Sequence, residues 1–119
     1  MPYLKLNGHK TWVRLPKNSK EVVLLLHGGL SSSKSMLANV APNLAGCFSA
    51  AAFDRRGHGR TADTSERFSY DAMADETIAL IEHIGRPVHL VGFSDGGNTA
   101  LAVALKSPDL VNRMVVIGA

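Results

Sequence analysis

Residues 88–106 read VHLVGFSDGGNTALAVALK, and this stretch decides the fold. Val88 to Val91 is a short apolar run headed by a β-branched residue, as expected of a strand. Gly96 to Lys106 reads as a helix, with Ala100, Leu101, Ala104 and Leu105 at helical spacing and Pro108 marking its end. Between them stands Gly92-Phe93-Ser94-Asp95-Gly96, a G-x-S-x-G pattern followed by Gly97. A serine in this position occupies a very sharp strand-to-helix turn. A side chain two residues before or after it would clash, so glycine takes both places. The turn lifts the hydroxyl above the sheet, and the helix directs its N-terminal amides at the same point. Ser94 is the candidate nucleophile.

Working outward, the chain alternates strands and helices. Tyr3–Leu6 and Thr11–Leu15 are short strands joined by the turn dipeptide Asn7-Gly8, which predicts a hairpin. Glu21–Leu26 is a continuous apolar run, suited to a strand covered on both faces. Serines 31, 32, 33 and 35 offer N-caps for a helix carrying Met36, Leu37, Val40 and Leu44, which Pro42 should kink or interrupt before Gly46. Phe48–Phe53 is the next strand. Ser69 caps a helix whose face is Met73, Thr77, Ile78, Ile81 and Ile84, ending at Gly85. Met114–Ile117 is the last strand. This order predicts crossovers and a mostly parallel, doubly wound α/β sheet. In such sheets chemistry sits in loops at the carboxyl ends of the strands, here those beginning at His27, Asp54 and Gly92.

The loop after Leu26 is His27-Gly28-Gly29-Leu30. An oxyanion formed in acyl transfer needs two backbone N–H donors. Asp95, after the nucleophile, supplies one; Gly29 supplies the other, with Leu30 as second choice. His27 is read as a buried histidine that orders this loop, not as a catalytic base. The loop after Phe53, Asp54-Arg55-Arg56-Gly57-His58-Gly59-Arg60-Thr61, lacks the spacing of a phosphate-binding loop. Asp54 and Arg56 are expected to pair or hydrogen-bond and so hold it. His58 is the histidine with access to the Ser94 side of the sheet.

Composition narrows the classes. Charged residues make up 19% and the net charge is +3, with no basic stripe, so nucleic-acid binding is not expected. The one local cluster, Arg55, Arg56 and Arg60, reads as a solvated loop. Cys47 is the single cysteine, which excludes an intrachain disulfide and suits a reducing compartment. No run is long enough to span a membrane, so a soluble, cytoplasmic protein is expected. Dispersed histidines imply no metal, and no cofactor is implied.

Three motifs, HGG, DRRGHGRT and GFSDGG, each follow a strand in that order. Together they resemble the front portion of the α/β-hydrolase superfamily, with Thr61 where that family carries serine. The stretch from Leu90 to Ala119 looks most like its small esterase, enol-lactonase and valacyclovir-hydrolase-like branches. The resemblance implies that Ser94 is the nucleophile and that Gly29 and Asp95 form the oxyanion hole. It implies that residues 1–119 are the N-terminal part of one such domain, truncated after about the sixth strand, with the cap and C-terminal strands absent. In the family the triad runs nucleophile, acid, histidine. No histidine follows Ser94 here, and Asp109 is badly placed.

The expected function is therefore a serine hydrolase acting on small carboxylic esters or related acyl bonds, inactive as an isolated chain. A non-catalytic binding module of the same fold is the alternative class. A carbon–carbon hydrolase or haloperoxidase-type perhydrolase is the alternative enzyme. Leu30 and Asp95 are candidate substrate contacts, the Asp95 carboxylate being either a helix cap or a site for a substrate ammonium. The unpaired edge of the last strand predicts self-association or completion by another chain.

Overall fold

The computed structural model describes residues 2–119. The chain builds one six-stranded sheet: β1 (Tyr3–Leu6), β2 (His9–Arg14), β3 (Val22–Leu26), β4 (Ser49–Phe53), β5 (Val88–Phe93) and β6 (Val111–Ile117), in spatial order β1-β2-β4-β3-β5-β6. The β1–β2 and β2–β4 pairs are antiparallel, whereas β3–β4, β3–β5 and β5–β6 are parallel. From β3 the chain crosses to one side to form β4, then returns to the other side for β5 and β6. The crevice beyond the carboxyl ends of β3 and β5 is thus the topological switch point, where such sheets bind ligands.

Side-chain alternation on β3 divides the core. Val23 and Leu25 pack with Met36 and Ala52 against α1 (Ser33–Asn39) and α2 (Ala41–Leu44). Leu24 and Leu26 point to the other face. There they join Ala74, Leu80 and Ile81 of α3 (Tyr70–Ile84) and Ala100 and Val103 of α4 (Asp95–Lys106). Ser32 and Ser69 cap α1 and α3 through their side chains. The interruption predicted at Pro42 is a break: α1 ends at Asn39, and Pro42 lies in the first turn of α2, where its missing N–H costs nothing.

Two expectations need correction. The last strand begins at Val111 rather than Met114, directly after a 3-10 turn over Pro108–Leu110. On α4, Leu101 and Leu105 do not pack inward; Leu105 is 85% exposed. The inward face is Gly96, Gly97, Thr99, Ala100 and Val103. Small residues are needed because the helix lies so close to the sheet. A Cβ on Gly97 would stand 2.9 Å from Val116 Cγ1.

Candidate active site

Strand register brings the three loops together. Leu26 pairs with Gly92 and Leu25 with Ala52, so the segments after β3, β4 and β5 emerge level with one another. Ser94 lies at the junction of β5 and α4 with φ 53° and ψ −112°, a conformation sparsely populated by L-residues. Its N–H donates to Ile117 O at 2.7 Å. A Cβ at Gly92 would collide with the Gly96 carbonyl, and one at Gly96 with the carbonyls of Leu26 and His27. These glycines are what permit the turn. The Ser94 hydroxyl caps no amide of α4, and Ser94 lines an open cleft of about 610 Å³.

Gly29 and Leu30 line the same cleft, as does Asp95. A Cβ on Gly29 would stand 3.6 Å from Asp95 Cβ, so the two loops touch. Asp95 is the first residue of α4, where backbone N–H groups have no partner within the helix. Leu30 holds a positive φ of 56° and is fully exposed. Phe68, Tyr70 and Met73 complete an apolar wall.

The three loops are locked from beneath. His27 is fully buried, its Nδ1 2.7 Å from Gly28 O. Its Nε2 accepts from Arg55 N at 3.1 Å, so the proton sits on Nδ1. Burial and then the nearby Arg55 cation push its pKa down to about 4. A neutral imidazole with both nitrogens occupied is a structural strut rather than a base. Asp54 is also fully buried and accepts from Ser33 N (2.8 Å), Ser33 Oγ (2.7 Å), Arg60 N (3.0 Å) and Arg60 Nε (3.2 Å). Burial raises its pKa, but these hydrogen bonds together outweigh that and hold it below the usual value.

Asp54 and Arg56 do not pair with each other, but each holds the loop by hydrogen bonds to other partners. Asp54 pairs with Arg60, which also stacks over Trp12 at 3.4 Å from the ring centroid. Arg56 instead ties down the following segment through Glu66 O (3.1 Å) and Arg67 O (2.9 Å). Nor are the first two arginines of this cluster solvated, since Arg55 is 1% and Arg56 4% exposed, whereas the Arg60 side chain is 46% exposed. Sequence reading missed this because glycine-punctuated charged loops are usually wet. Here Arg55 and Arg56 are bound by carboxylates and carbonyls outside the loop, and Arg60 by Asp54 within it.

Arg55 reaches Asp95: Nη2 stands 3.1 Å from Oδ2. Burial lowers the pKa of Arg55, opposed by the Asp95 carboxylate. Tyr70 Oη donates to Asp95 Oδ1 at 2.8 Å and accepts from Asn98 Nδ2 at 3.2 Å. The Asp95 carboxylate is thus not a helix cap. It is held by an arginine and a tyrosine that sequence reading did not place in the site. The signal for Arg55 was a carboxylate beside Ser94 in need of a counter-ion; nothing marked Tyr70.

His58 lines the cleft with Ser94. Its Nδ1 lies 3.0 Å from Arg56 O, and its ring packs 4.9 Å from that of His27. Asp109 lies in the 3-10 turn at the far end of α4, away from Ser94. Among the described residues no cluster of ligating side chains could hold a metal ion. No helix is long and apolar enough to cross a membrane.

The sequence pattern of the α/β-hydrolase fold matches residues 21–119, across all three loops. The chain belongs to this family. It is 34% identical over 104 residues to a Caulobacter sp. (strain K31) protein carrying the name carbamate hydrolase RutD, covering 86% of this chain and 38% of that one. It is 32% identical over 119 residues to the human serine hydrolase BPHL, covering 96% of this chain and 41% of that one. The epoxide hydrolase CorEH superposes with a TM-score of 0.86 at 30% identity, over 96% of this chain and 40% of the other. The chain thus spans about two fifths of the length of these relatives.

Proposed function

We propose that residues 1–119 are the N-terminal part of a single α/β-hydrolase domain that cleaves small carboxylic esters or related acyl bonds through an acyl-enzyme on Ser94. The observation that carries this reading is the backbone of Ser94, held at φ 53° and ψ −112° beside the Gly29 loop. Such strain persists only where the surroundings over-determine it, and it gathers at functional sites. Ser94 Oγ attacks the carbonyl carbon. The amides of Asp95 and Gly29 take the charge on the carbonyl oxygen, and the alcohol leaves as the acyl-enzyme forms. Water then releases the acid. The leucine at 30 and the apolar wall of the cleft receive the acyl group. The relatives' names include a carbamate hydrolase and a serine hydrolase, and carbamates share the carbonyl centre that this arrangement suits. The lone, exposed Cys47 fits a reducing cytoplasm.

A serine hydroxyl is a weak nucleophile until a base takes its proton. The acid and histidine of the triad are proposed to come from polypeptide outside these residues. Their loss in a comparable enzyme lowers turnover by up to about a million-fold. The 119-residue chain alone is therefore expected to react slowly with a β-lactone probe, at Ser94, and the Ser94→Ala variant not at all. Peptide mass spectrometry reads the outcome. Modification at any other side chain contradicts the reading, and rapid labelling of Ser94 moves the base to His58.

A further inference from the structure

Asp95 places a carboxylate beside the nucleophile, and the chemistry above uses only its backbone N–H. We infer that Arg55 is a built-in counter-ion that cancels the Asp95 charge, so that the cleft selects uncharged acyl groups over ammonium-bearing ones. This rests on the acyl-site reading and deepens it. Both oxygens of Asp95 are taken, Oδ2 by Arg55 at 3.1 Å and Oδ1 by Tyr70 at 2.8 Å.

An ammonium ligand would have to share or win this carboxylate, and Arg55 has nowhere else to go. Its side chain is 1% exposed, and its Nε and Nη1 already lack partners. Its main chain is pinned by the bond from Arg55 N to His27 Nε2. Drawing Asp95 away would leave a buried cation unpaired, which is strongly unfavourable. An ammonium that left the pair intact would meet a carboxylate already neutralised and a guanidinium close behind it. Asp95 is the one carboxylate among the described residues lining the cleft, and no lysine or arginine lines it. With the pair closed, Leu30, Phe68, Tyr70 and Met73 offer an apolar wall. Arg55 acts through Asp95 and is a positioning and specificity residue, not a catalytic one.

The test compares two uncleaved, isosteric probes at neutral pH: pentanamide, and 4-aminobutanamide with its terminal ammonium. Binding to the 119-residue chain is read from the backbone amide signals of Gly29 and Asp95 by NMR titration. Pentanamide is expected to bind roughly tenfold or more tightly than the ammonium probe. Arg55→Met should close or reverse that gap, and Arg55→Lys, which keeps the charge, should restore it. Tighter or equal binding of the ammonium probe to the native chain overturns the inference and leaves the acyl site standing. A gap unchanged in a folded Arg55→Met chain overturns it too. If neither probe moves these amides, the acyl-site reading falls and this inference with it. If Arg55→Met fails to fold, Arg55→Gln takes its place, and tighter or equal binding of the ammonium probe to the native chain still overturns the inference.

Discussion

At Ser94 a single residue holds a conformation that costs about 1–3 kcal/mol, and its neighbours make it unavoidable. The chain cannot relax there, because Gly96 already sits against the carbonyls of Leu26 and His27. His27 shows the same economy of space. It is fully buried between Arg55, His58 and Asp54, and its pKa falls from 6.5 to about 4. In the unfolded chain it takes up a proton below about pH 6.5, whereas the folded chain refuses it until about pH 4. Its contribution is therefore fully present above pH 6.5 and lost progressively as pH falls towards 4. The shift corresponds to roughly 3 kcal/mol. Asp54, whose pKa is lowered, works in the same direction at lower pH; Glu76, raised by burial, works against it. Urea unfolding at stepped pH should show this slope in the native chain and a much flatter one in His27→Gln. Equal slopes would contradict the buried, neutral assignment.

Among the elements, Thr61 shows how a loop is tied to a strand. Its hydroxyl accepts from Trp12 N of β2 at 2.9 Å in a buried setting. A serine offers the same oxygen, so the departure from the family pattern preserves the bond. Thr61→Val should cost about 1–3 kcal/mol by leaving that amide unpaired, and Thr61→Ser much less. Denaturant midpoints measure both, and equal losses would contradict the account. The order of the strands, the hairpin at Asn7-Gly8, the cap at Ser69, a serine cap for α1 and an interruption near Pro42 were legible, because each rests on local pattern; the start of β6 was not. Nor was the inward face of α4. Hydrophobicity favours Leu101 and Leu105, while the helix's closeness to the sheet, visible only in three dimensions, admits Gly96, Gly97 and Thr99 instead. In the site, the sharp turn at Ser94 and its nearness to the Gly29 loop were legible from the G-x-S-x-G pattern and the strand order. Tyr70 and the burial of Arg55 depend on contacts between segments 25 and 40 residues apart, which no local pattern records.

At the largest scale, β6 is an edge of the sheet among the described residues and carries exposed Met114, Val115 and Ile117. Leu101 and Leu105 of α4 are exposed as well. Unpaired edges of this kind template pairing with another strand. Sedimentation is expected to show mass rising with concentration, and Val115→Lys should suppress that rise. A strictly monomeric native chain at all concentrations would contradict it. The fold itself places β3 and β5 side by side, so that the Ser94 turn and the Gly29 loop meet at the switch point. That meeting is the centre of the account. Its most direct test is to phosphonylate the chain to completion, locate the adduct, and compare amide proton shifts before and after. The account predicts an adduct on Ser94 and strong downfield shifts of the Asp95 and Gly29 amides as they bind the phosphonyl oxygen. An adduct elsewhere, or an adduct on Ser94 that leaves both amides unmoved, would contradict it.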